Sequence, residues 1–131
     1  KNILPHSTPD FSKYVGIPYS EKNCWDLCVF FYSNELDIVL SGIYSGEAPI
    51  DRSKTNDLIN SNRGHFIKVE APKLGDIVLM RVHGIECHMG IYLPQGKILH
   101  TNRNSGSVID RASKLERIIS GYYRVEGLNG N

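Results

Sequence analysis

Hydrophobic positions along this chain fall into two regimes. Between Cys24 and Leu36 they recur at helical spacing, with Leu27, Cys28 and Phe31 on one face. Asn23 stands just before them as an N-cap, because its amide oxygen can accept the free N–H groups of the first turn. Asp26 then takes the third helical position, where a negative charge suits the helix dipole. From Val69 onward the apolar runs shorten and turn residues separate them. The stretches 75–82 (GDIVLMRV), 88–93 (HMGIYL), 97–102 (KILHTN), 107–111 (SVIDR) and 122–127 (YYRVEG) read as strands. Their hairpin-length connections imply antiparallel pairing. One helix followed by a run of strands is an α+β layout: an N-terminal helix carrying Cys24, packed on an antiparallel sheet of about five strands. Residues 1–22 hold three of the six prolines and read as an irregular lead-in. Residues 41–66 are rich in Ser, Asn, Gly and Asp, and Ser53 is placed to cap a short helix through 54–62.

A length of 131 residues suits one domain, residues 1–131 with a core over about 14–126. The net charge of +1 comes with no Lys/Arg run, which argues against a nucleic-acid partner. Three cysteines are an odd number and argue against a disulfide framework. On a regular helix Cys24 and Cys28 stand about 5–6 Å apart at Cβ, too far for the roughly 3.8 Å of a disulfide. A reducing compartment fits best. No secretory leader is visible at the start, and the apolar run CVFFY is too short to span a bilayer.

Cys24 admits three readings: apolar filler, metal ligand or nucleophile. The stretch from His88 to Asn102 bears on the choice. Pro94, Gln95 and Gly96 read as a three-residue hairpin loop with Gly96 at positive φ, so Leu93 pairs with Lys97. Continued along the strands, that register sets His100 opposite Gly90 and His88 opposite Asn102. His88, Gly90, Tyr92, Ile98, His100 and Asn102 then share a face, and the two imidazoles are diagonal neighbours about 7–8 Å apart at Cα. A helix N-terminus favours a thiolate, one imidazole can take the thiol proton, and a second polar group can hold its tautomer. A zinc set of Cys24, Cys28, Cys87 and His88 has the wrong spacing, since C-x3-C lies inside a helix and Cys87 and His88 point to opposite faces. Cys28 and Cys87 read as core. His6, His65 and His83 sit in polar loops and read as solvated, and Asp76 reads as a turn or strand-start residue. There is no P-loop, Rossmann glycine loop or G-x-S-x-G elbow, and no metal or cofactor is expected.

The blocks GIPYSEKNCWDLCVFFY, KLGDIVLMRV, CHMGIYLPQGKILH and GYYRV, in that order over about residues 14–126, resemble the NlpC-type papain-like cysteine peptidases that cut cell-wall peptides. The Cys-Trp pair and the H-x-G-I-Y-L strand resemble the bacteriophage tail-assembly branch. The resemblance implies Cys24 as nucleophile, His88 as general base and His100 as the residue that orients it. It implies an oxyanion site at Tyr19 and the Cys24 N–H. Many cell-wall members carry Asp before and Ser after the nucleophile to hold a stem-peptide amine. Here those substrate positions are Asn23 and Trp25. The function implied is a cysteine hydrolase of a phage or prophage tail, in the virion tail or, during assembly, the host cytoplasm, with other tail proteins as partners. Its substrate would be peptidoglycan peptides at the cell wall or a tail protein processed during assembly. A non-catalytic tail-tip module, and an acyltransferase or amidase on the same fold, are the alternatives.

Overall fold

Asn23 starts the helix by the expected route. Its backbone is extended, and its side-chain oxygen accepts the Asp26 N–H at 2.9 Å. The computed structural model describes residues 10–40, 66–82 and 85–125, with the side chains of residues 82 and 85–87 excepted. Helix α1 spans Cys24–Phe31. Its continuation to Leu36 is a single π-helical turn, Tyr32–Leu36, which stops where Asp37 turns left-handed at φ 56°. Cys24, Leu27, Cys28 and Phe31 recur at helical spacing and are all buried, as are Trp25 and Tyr32.

Among the described residues six strands follow rather than about five: β1 Phe66–Val69, β2 Ile77–Val82, β3 Ile85–Leu93, β4 Lys97–Asn102, β5 Gly106–Arg111 and β6 Ile119–Val125. A short helix α2, Ala112–Leu115, links β5 to β6. The sheet order is β1-β6-β2-β3-β4-β5, and every pair is antiparallel. This is the α+β architecture expected, with one edge strand more.

Strand alternation divides the apolar side chains between two faces. Ile77, Leu79, Met89, Ile91, Leu93 and Leu99 enter the core with α1. Val78, Met80 and Ile98 pack on the other face with Tyr92, Tyr122, Leu115 and Ile118. Part of the lead-in is also tied down. Tyr14 is fully buried, with its ring 5.0 Å from Phe31. Buried Ser107, in β5, accepts the Ile17 N–H at Oγ (2.8 Å) and donates that hydroxyl to the Tyr14 carbonyl. Gly106 beside it takes φ 75°, and a Cβ there would stand 2.5 Å from the Ile17 carbonyl oxygen.

Asp76 does more than begin a strand. It is fully buried just before β2 and meets Arg124 of β6 through two contacts, 2.9 and 2.7 Å. A bidentate pair of this kind ties β2 to the strand inserted beside it. The helix expected through 54–62, together with His6, His65 and His83 and the side chain of Cys87, lies outside the described residues.

Candidate active site

The hairpin loop is Pro94–Gly96, and Leu93↔Lys97, Tyr92↔Ile98 and Ile91↔Leu99 pair in the expected register. Gly96 has φ 68°, and Gln95 shares the left-handed region at 67°. The expected ladder does not continue. Beyond Ile91 and Leu99 the two strands form no further pairs, so His100 is not held opposite Gly90 by the ladder nor His88 opposite Asn102. On its other side β3 stays paired with β2, with Met80 opposite His88 and a register shift immediately beyond.

The two imidazoles nevertheless meet. His88 Nε2 lies 3.2 Å from His100 Nδ1, with the rings near edge-on at 78°. Gly90 permits the approach: a Cβ there would lie 2.6 Å from the Leu99 carbonyl oxygen and 3.0 Å from His100 Cβ. Backbone must shift to admit a methyl group. Gly90→Ala is therefore expected to part β3 from β4 and to break the His88–His100 contact. The imidazole signals in the NMR spectrum check this outcome.

The contact continues to a residue that the strand patterns did not single out. His100 Nε2 lies 2.8 Å from Asp110 Oδ2, and Asp110 Oδ1 accepts from Lys114 of α2 at 3.1 Å. His100 is 7% exposed. Burial alone would raise the Asp110 carboxyl, but the His100 hydrogen bond and the Lys114 ammonium outweigh it and hold it below the usual carboxylate range. A signal for Asp110 was present. The hairpin after Asn102, whose side-chain oxygen accepts the Asn104 and Ser105 N–H groups, sets Ile98 opposite Asp110. That makes Asp110 a diagonal neighbour of His100 on the same face.

Burial, aided by the neighbouring His100, pushes His88 down from its ordinary 6.5 to about 4. His88 therefore rests neutral at pH 7. The unfolded chain gains a proton on this residue below about 6.5, and the folded chain resists it until about 4. The stability that goes with a neutral His88 is full above that window and is lost as pH falls through it. Denaturant midpoints between pH 7 and 4 should fall more steeply for the wild type than for His88→Gln.

The remaining site residues divide. Tyr19 and Asn23 line an open groove of about 650 Å³ with Asp26, Arg103 and Ser105. The Arg103 guanidinium lies 4.9 Å from the Tyr19 ring centroid. Trp25 does not line this groove; it is buried in the core at 3% exposure. Cys24 opens α1 at 5% exposure, and α1 packs against β3 and β4, the strands of the two histidines. Burial pushes the Cys28 thiol well above its usual range, with Cys24 and Asp26 acting in the same direction. Among the described residues no group of three or more His, Cys, Asp and Glu is arranged to hold a metal ion. No described helix is long and apolar enough to cross a membrane.

A cysteine-headed helix laid on an antiparallel sheet that carries a His–His–Asp chain is a layout suited to thiol hydrolysis. The model of the NlpC/P60 family matches residues 13–124, and the chain belongs to that family. The family is one of cysteine peptidases and amidases that act on cell-wall peptides. No curated protein matches the chain at the level of sequence.

Proposed function

We propose that this chain, as a single domain, is a cysteine hydrolase that cleaves an amide bond in a peptidoglycan peptide, with Cys24 as nucleophile, His88 as general base and His100 as its orienting partner. The observation that carries the reading is the hydrogen-bonded His88–His100 pair, set on the two strands against which the Cys24 helix packs. Cys24 sulfur attacks the amide carbonyl carbon while its proton passes to His88. The carbonyl electrons move to oxygen, where the Cys24 N–H and Tyr19 receive the charge. Collapse breaks the carbon–nitrogen bond, and His88 returns the proton to the leaving amine. Water, deprotonated by His88, then opens the thioester and regenerates the thiol.

The groove beside the helix start supports a polar peptide as substrate, because it offers a carboxylate in Asp26, a guanidinium in Arg103 and an aromatic face in Tyr19. The setting proposed is a phage or prophage tail, on the Cys24–Trp25 pair and the His88–Leu93 strand. The test is incubation with purified muropeptides and, separately, with tail proteins, read by mass spectrometry. A muropeptide split with uptake of one water is the expected result. Cleavage confined to a tail protein would replace the substrate, and no cleavage of either would overturn the assignment.

A further inference from the structure

The geometry points to Asp110 as a positioning residue that fixes the tautomers of both histidines, so that His88 presents an unprotonated Nδ1 for the thiol proton. Ionised Asp110 can only accept, so His100 Nε2 must carry the hydrogen at the 2.8 Å contact. A neutral His100 then has a lone pair on Nδ1. His88 Nε2, 3.2 Å away, must therefore be the donor. With its proton on Nε2, neutral His88 keeps its lone pair on Nδ1. When Nδ1 takes the Cys24 proton, the new imidazolium already donates to His100, and the chain ends on a negative carboxylate. The inference rests on the proposed function for the identity of the proton donor. The tautomer chain itself does not depend on that reading.

Lys114 reinforces the arrangement. It holds Asp110 Oδ1 at 3.1 Å, leaving Oδ2 to His100. The two oxygens thus have separate duties, which makes Asp110→Asn informative. An asparagine that keeps its oxygen on Lys114 must turn its NH₂ toward His100 Nε2. His100 would then carry its proton on Nδ1 and His88 its proton there too, the tautomer that cannot act as base.

The experiment reads ring-nitrogen chemical shifts of ¹⁵N-labelled histidines at neutral pH in the wild type and in Asp110→Asn, together with steady-state kinetics and the rate of Cys24 alkylation. In the wild type both His88 and His100 should carry the proton on Nε2. In Asp110→Asn, His88 should move toward the Nδ1–H form, with kcat falling on the order of 10²- to 10⁴-fold and KM unchanged, as when the base is left in the wrong tautomer. A wild-type His88 protonated on Nδ1 would overturn the inference without recourse to any variant. So would an Asp110→Asn protein with unchanged tautomers and unchanged kcat. The spectra and the alkylation rate need no substrate. Failure to hydrolyse muropeptides would therefore strike the proposed function, while the tautomers would decide this inference separately.

Discussion

Cys24→Ala is expected to abolish hydrolysis while leaving the protein folded. Loss of a nucleophile from a catalytic set costs on the order of 10⁶-fold in kcat. The nearby thiol cannot substitute, because Cys28 is 1% exposed and burial holds it well above its usual pKa. The fold should tolerate the change because alanine is the best helix former and the Asn23 cap, made to the Asp26 N–H, is untouched. Removing one buried group of this size costs about 1 kcal/mol. Two measurements separate chemistry from folding: turnover on the substrate that the wild type cleaves, and the thermal midpoint. Brief iodoacetamide treatment followed by peptide mapping adds an independent check, with Cys24 labelled ahead of Cys28. Turnover retained in the variant would remove Cys24 from the chemistry.

Local rules made the helix start and the β3–β4 turn legible in the sequence. Asn23 caps its own next turn, and Pro94–Gly96 fixes a register within a few residues, so both depend on neighbours in the chain. What was not legible depends on partners far away. β1 is four residues long, and its pairing with β6 brings Phe66 opposite Val125. No local pattern encodes the insertion of β6 between β1 and β2, nor the burial of Asp76 against Arg124 that accompanies it. The α-helix gives way to a π turn at Tyr32, whose hydroxyl donates to the Gly75 carbonyl just ahead of β2. That tertiary contact is again invisible to helical spacing.

The candidate site divides in the same way. Alternation from a correct hairpin register placed His88 and His100 as neighbours, and they touch. The same alternation, followed as an unbroken ladder, overran the structure, because β3 and β4 cease to pair beyond Ile91 and Leu99. Asp110 lay one hairpin further on. Finding it required the turn at Asn102–Gly106, a register for β5 and the recognition that His100 has a second ring nitrogen to satisfy. Trp25 follows Cys24 directly, yet helix geometry rotates neighbouring residues by about 100°. Adjacency in sequence therefore did not carry Trp25 onto the groove that Tyr19 and Asn23 line.

The second large effect is expected at His88, and it should exceed the effect at His100. In the proposed mechanism His88 transfers a proton in both half-reactions, whereas His100, which contacts His88 and Asp110, acts by orientation. Replacing His88 by Ala should cost on the order of 10²–10⁴-fold in kcat/KM, the range for a general acid–base group. It should also flatten the pH dependence of stability between about 4 and 6.5, because the residue held neutral in that window is gone. His100→Asn keeps one amide that can accept from His88 Nε2 or donate to Asp110, so measurable turnover should survive. Both variants belong beside Cys24→Ala on one substrate, with urea midpoints measured at pH 7 and at pH 4.5. If His100→Asn is as inactive as Cys24→Ala while His88→Ala turns over at a near-normal rate, the roles of the two histidines are reversed. The chain of hydrogen bonds from Asp110 would then end on the base itself, with His100 receiving the thiol proton.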